Sequence, residues 1–124
     1  MNIALIANDA RNGLMVRFCI AYKGVFETHT LFSTATTGRL VSESSGLSVN
    51  VFFEHHGGEQ QISARIACNE IDLLILFRDP FMSGKQKWEV EMLHLCDLHN
   101  IPLATNISTA EMLICGLSHG DLYR

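Results

Sequence analysis

The sequence predicts an α/β protein: a five-stranded parallel sheet with helices on both faces, in one domain spanning residues 1–124. Three observations carry this. Five apolar runs of strand length recur along the chain, beginning near Asn2, Thr28, Leu47, Leu73 and Ile101. Each is followed by a polar turn and then by a stretch whose apolar residues return at helical spacing. Parallel neighbours require crossovers, and crossovers within one sheet keep one hand, which spreads the helices over both faces.

The first strand is Asn2 to Ala7, ending at Asn8-Asp9. Leu14, Met15, Phe18, Cys19 and Tyr22 then recur at helical spacing, and Gly24 sits where a helix would stop. Thr28 to Ser33 is the second strand. Thr34-Ala35-Thr36-Thr37-Gly38 leads into a helix through Leu40 and Val41 that closes at Gly46. Leu47 to Phe53 is a third strand and Glu54 to Gly58 a loop. A helix over Ile62 to Asn69 places Ile62, Ile66 and Ala67 on one side. Leu73 to Phe77 is the most apolar run and is expected to be the central strand, broken by Asp79-Pro80. The next helix, from about Trp88 to His99, is expected to turn Val90, Leu93 and Leu98 inward. Ile101 to Ala104 makes the fifth strand, and Thr109 to Leu117 a last helix capped by Ser108 or Thr109.

A composition of 48% hydrophobic and 18% charged residues can bury a true core, and no apolar run approaches the length of a membrane span. The opening residues lack a basic lead-in and turn polar at Asn8, so cytoplasmic residence is the expectation. A net charge of −4 without a Lys/Arg cluster argues against nucleic acid as a partner. Cys19, Cys68, Cys96 and Cys115 are far apart with no C-x-x-C pair, and are expected to be buried free thiols.

In open sheets of this class ligands bind beyond the carboxyl ends of the strands. That rule selects Asn8, Asp9, Thr34, Thr36, Thr37, the 54–59 loop, Asp79 and Asn106, a polar set converging on one edge. Hydroxyls and unpaired amides at the start of the helix after Thr34 suit an anion, although Ser/Thr before a helix is also an ordinary cap.

Five segments in register give this chain a resemblance to methylglyoxal synthase from about Ile3 to Leu113. They are Ile3-Ala4-Leu5-Ile6-Ala7-Asn8-Asp9, Thr34-Ala35-Thr36-Thr37-Gly38, Gly57-Gly58-Glu59-Gln60-Gln61, Asp79-Pro80, and Pro102-Leu103-Ala104-Thr105-Asn106 with Thr109-Ala110. The resemblance implies a flavodoxin-like three-layer sandwich, a homohexamer, and elimination of phosphate from dihydroxyacetone phosphate without a metal or organic cofactor. It implies Glu59 as the base, with Asp9, Glu89 and Gln86 in support. Asn8, Arg11, Asn12, the turn Thr34, Ala35, Thr36 and Thr37, His55, Gly57, Gly58 and Asp79 would surround a small phosphorylated substrate.

Several of these positions depart from the family's pattern. Glu59 and Glu89 stand where the family has aspartates, each one methylene longer. Asn8 and Gln86 replace histidines; they donate hydrogen bonds but exchange no proton near neutral pH. Asn12 replaces a lysine, with Arg11 as the neighbouring compensator. A charged hydrogen bond contributes about 1.5–3 kcal/mol, so that loss alone would weaken phosphate binding roughly ten- to a hundredfold. Ala35 replaces a glycine, which matters if the position needs a positive φ. For Asp79 the competing reading is a turn residue pinning the strand end, and for Glu89 an exposed glutamate at a helix start. His55 and His56 with Glu54 or Glu59 also form a minority metal-site reading. Arg78, Lys85 and Lys87 bring positive charge to the loop after Asp79, which suits attraction of an anion, although solvated loop charge is the commoner role. Two functions therefore remain at this stage: a lyase acting on a small phosphorylated ketose, or a member of the fold that binds an anionic effector without turnover.

Overall fold

The computed structural model describes residues 1–52, 58–82, 84 and 86–119. Strand β1 (Asn2–Ala7) leads through a 3-10 turn (Asp9–Arg11) into α1 (Asn12–Ala21) and the short α2 (Lys23–Phe26). β2 (Thr30–Thr34), α3 (Ala35–Ser45), β3 (Val49–Phe52) and α4 (Glu59–Ala67) follow. The chain continues through β4 (Leu73–Phe77), α5 (Lys87–His99), β5 (Leu103–Ala104) and α6 (Ile107–Ser118). All pairings are parallel and the strand order is β3-β2-β1-β4-β5. This is the five-stranded α/β sandwich expected, although the order differs from the 2-1-3-4-5 of flavodoxin itself. β1, paired on both edges, holds the middle, and β4 lies beside it, with Ile3 in register with both Leu31 and Leu73.

Alternation along the strands builds two cores. Ile3, Leu5, Leu31, Leu73, Ile75 and Phe77 face α1, α3 and α6, meeting Met15, Phe18, Val41 and Ile114. Ala4, Ile6, Phe32, Leu74 and Leu76 face α4 and α5, meeting Ile62, Ile66, Met92 and Cys96. Phe18 packs edge-on to Phe26 and Phe77, with ring centres 5.6 and 5.7 Å away, the geometry that adds to simple burial for aromatic pairs. On the opposite face Arg65 of α4 lays its guanidinium over Phe32 and Phe52, 5.0 and 5.1 Å from the ring centres, tying that helix to the β2–β3 edge.

Several local expectations are corrected. Val90 and Leu98 are 53% and 65% exposed; α5 turns Glu89, Met92 and Cys96 inward instead. That helix carries apolar residues all round, so its own sequence does not determine its phase, and the sheet chooses the face. On α4 the exposed Ala67 gives way to Ser63 beside Ile62 and Ile66, and the helix starts at Glu59, three residues early. Gly24 lies inside α2 rather than ending α1, and β2 begins at Thr30 because Thr28 and His29 still bond back to Val25 and Phe26. The cap of α6 is Asn106, whose Oδ1 accepts from the Thr109 amide at 3.1 Å. Cys19 and Cys96 are buried as expected, but Cys68 and Cys115 are exposed. Gly46 does close α3, at φ 78°, the left-handed geometry that favours glycine.

Candidate functional site

The reversal of crossover direction falls between β1 and β4, so their carboxyl ends open a crevice. A cleft of about 500 Å³ lies there, lined by Asn8, Arg78, Asp79, Gln86, Glu89 and Thr105 among others. That volume suits a small ligand. A hollow of about 630 Å³ between α4 and α5 is larger, lined by Ser63, Trp88 and Leu95, but it lies on the helix layer away from the strand ends. Gln86 borders both.

Each cleft side chain is held in a particular way. Asn8 follows β1, its amide donates to the Phe77 carbonyl at 3.0 Å, and among the described residues its side-chain nitrogen reaches only the Met82 sulfur at 3.2 Å, a weak acceptor. Asp79 accepts from the Phe81 amide at 2.9 Å, which is the turn-pinning role. Gln86 starts α5 and its Oε1 accepts from the Trp88 indole at 2.6 Å, leaving its side-chain nitrogen as the donor end. Glu89 overturns the exposed-glutamate reading: it is 5% exposed, and its carboxylate lies 3.8 Å from the Arg78 guanidinium. Arg78 was read as loop charge, yet it borders the cleft. The period of the strand was the signal for it, since Leu74 and Leu76 face α5 and the same alternation carries Arg78 toward that side.

A second group of the expected residues gathers at the start of α3, outside the lining of this cleft. Thr34 occupies the cap position without a side-chain capping bond, so the first amides of α3 stay open to an anion. Thr36 is exposed beside them. Ala35 has a negative φ, so replacing the family's glycine there strains nothing. Thr37 is buried and its hydroxyl donates to Asn12 Oδ1 at 2.6 Å; Asn12 is itself buried. The position where the family has a lysine thus serves here to clamp α1 to α3. Arg11, half-buried, and Asp9, exposed, sit in the turn just before it.

Gly58 brings the two helix starts together. A Cβ at this position would lie 2.8 Å from both Cβ and the carbonyl oxygen of Phe52, and 3.4 Å from Thr34 Cγ2. Only hydrogen fits there, so the first turn of α4, beginning at the half-buried Glu59, abuts the Thr34 turn. His55, His56, Glu54 and Gly57 lie outside the described residues, and with them the histidine metal reading. Among the described residues no three His, Cys, Asp or Glu side chains cluster as metal ligands, and no helix is long and apolar enough to cross a membrane.

Comparison with known proteins accords with this geometry. The family model for the MGS-like domain matches residues 15–105. The methylglyoxal synthase of Caldicellulosiruptor saccharolyticus is 54% identical over 124 residues, covering 98% of this chain and 88% of the relative. That of Listeria welshimeri is 50% identical, covering 98% and 92%. The crystal structure of methylglyoxal synthase from Elizabethkingia anophelis superposes with a TM-score of 0.83 at 32% identity, covering 91% of this chain and 76% of that one. With such identity over nearly its whole length, the chain belongs to the methylglyoxal synthase family.

Proposed function

We propose that this protein is a methylglyoxal synthase, a carbon–oxygen lyase that eliminates inorganic phosphate from dihydroxyacetone phosphate. The observation that carries this reading is the close approach of Gly58 to Thr34, which sets a carboxylate at the start of α4 beside an open helix N-terminus in α3. Those are the two parts the chemistry requires.

Glu59 acts as the base, removing a proton from the hydroxymethyl carbon, on the far side of the carbonyl from the phosphate ester. The resulting enediolate is stabilised by donors in the cleft, where Asn8 and Gln86 present side-chain amides. Its electron pair then expels phosphate as the ester carbon–oxygen bond breaks, leaving an enol that tautomerises to methylglyoxal. Phosphate is seated by the amides of α3, by the hydroxyls of Thr34 and Thr36, and by the Gly58 turn, with Arg11 near. Thr37 contributes its amide, because its hydroxyl proton is engaged by Asn12. Asp9 and Asp79 shape the rim, and the buried Glu89 supports the donors. No step calls for a metal or organic cofactor.

Glu59 is longer than aspartate by one methylene, and a misplacement of about 1 Å costs on the order of 10²-fold in rate, so turnover is expected to be slow. The test supplies dihydroxyacetone phosphate and follows phosphate and methylglyoxal together in wild type and Glu59→Ala. Equal release from both proteins at the uncatalysed rate would reject the reading. The same reading makes the protein a cytoplasmic homo-oligomer that works without nucleic acid. Its support is the net charge of −4 and the apolar side chains of Ile20, Val90, Leu98 and Met112 left at the surface. Light scattering at the mass of one chain, 13.8 kDa, would remove the oligomer.

A further inference from the structure

We propose that Arg78 is a further catalytic residue of this site, the charged donor that stabilises the enediolate oxygen in place of the two imidazoles that Asn8 and Gln86 replace. The inference rests on the lyase reading above and names the residue that supplies its electrophilic assistance.

Three features of the cleft support it. First, among the described residues the cleft holds one cation, Arg78, whose side chain is 29% exposed, so it is neither free in solvent nor sealed in the core. Second, its contact with Glu89 is 3.8 Å, well beyond the roughly 2.7–2.9 Å of a charged hydrogen bond. The guanidinium therefore compensates the buried carboxylate electrostatically, while among the described residues its five N–H groups make no hydrogen bond to another side chain. Third, the neighbouring neutral donors are weakly engaged among the described residues: the carbonyl end of Gln86 is held by Trp88, which leaves its nitrogen end, and the side-chain amide of Asn8 meets a thioether. Three donors thus border one space, and only Arg78 carries full charge.

The chemistry asks for such a group. Proton abstraction beside a carbonyl places negative charge on the carbonyl oxygen, and a fixed cation in a half-buried cleft counters it without reorganising. Imidazole can also pass a proton to that oxygen; a guanidinium cannot, because it stays protonated throughout the working range. The intermediate is then held as the anion, with its electron pair available to expel phosphate. Glu89 keeps the Arg78 fork in place, a positioning role.

The test is a double-mutant cycle with Arg78→Gln, Glu89→Gln and the pair together, assayed on dihydroxyacetone phosphate. Two readouts are followed: deuterium uptake from solvent into substrate, and phosphate release. Loss of an oxyanion donor costs about 10²–10³-fold in kcat, so Arg78→Gln is expected to lose that much in both readouts, with KM changed by less than about threefold. With Glu89 already replaced, removing Arg78 should still cost at least about tenfold. If Arg78→Gln costs nothing further in the Glu89→Gln background, the direct role is overturned and Arg78 only neutralises Glu89. If wild type turns over and Arg78→Gln keeps kcat within about threefold, the proposal also fails while the lyase reading stands. A wild type inert in both readouts sinks both. Arg78→Lys, which keeps the buried charge paired, replaces Arg78→Gln if circular dichroism shows that the latter does not fold; its expected loss is again in kcat, since a point charge does not reproduce the fork.

Discussion

Replacing Gly58 with alanine tests how the two halves of the site are held together. The residue has φ −75° and ψ −5°, an ordinary right-handed conformation. Backbone considerations alone would therefore make alanine stabilising by about 0.4–1 kcal/mol, through a less flexible unfolded chain. The space decides otherwise. The new Cβ would lie 2.8 Å from the Phe52 Cβ and the same distance from its carbonyl oxygen. Carbon atoms sit comfortably at about 3.5–4.0 Å, so the first turn of α4 must retreat by roughly 0.7 to 1.2 Å, and the carbonyl belongs to a strand that cannot yield. Overpacking of this kind costs about 1–3 kcal/mol, giving a net loss between about 0 and 2.6 kcal/mol and, at mid-range, a fall in melting temperature of a few degrees. The retreat also moves Glu59 from the Thr34 turn, and about 1 Å there costs on the order of 10²-fold in rate. Measured at a temperature where circular dichroism shows the variant folded, kcat on dihydroxyacetone phosphate should fall by about 10- to 100-fold if the proposed chemistry holds. A variant melting within 1 °C of wild type with unchanged kcat would refute both the steric argument and the adjacency it supports.

Two further outcomes follow from the buried polar groups and thiols. Asn12→Ala leaves the Thr37 hydroxyl buried without its partner, where at present no buried side-chain polar atom among the described residues lacks one. The cost should be about 1–3 kcal/mol by urea unfolding, partly recovered on adding Thr37→Val; a loss unaffected by the second change would place the cost elsewhere. Burial pushes the Cys19 thiol up to about 12 and, with Asp97 adding to it, that of Cys96 to about 11, so both stay protonated at pH 8. Cys68 and Cys115 are exposed, and a thiol reagent at pH 8 should therefore label these two in the native protein and all four in urea. Rapid native labelling of Cys19 or Cys96 would contradict the packing of both cores.

Much of the fold and part of the site could be read from the residues themselves. The strands were legible because continuous aliphatic runs such as Leu73 to Phe77 have one stable use in a chain of this pattern, and the strand-end rule then located Asn8, Thr34 and Asp79 on one edge. Features set between distant segments were not legible. Apolar residues on every side of α5 hid which face it buries, and with it the burial of Glu89 and its approach to Arg78. The pairing of Asn12 with Thr37 joins residues 25 apart, and nothing in either local sequence announces it. Asn106 outcompeted Ser108 and Thr109 as the cap because its side chain reaches the Thr109 amide from outside the helix.

The nearest obstacles to a side chain at Gly58 are the Phe52 carbonyl oxygen and Cβ, atoms whose positions the β3 backbone fixes. Rotamer changes at Phe52 leave these two atoms in place, so the approach of the two helix starts is set by the backbone. The spacing between the starts of α3 and α4 is therefore a property of the sheet edge that carries them, and a change at Phe52 that leaves its backbone in place should leave that spacing unaltered.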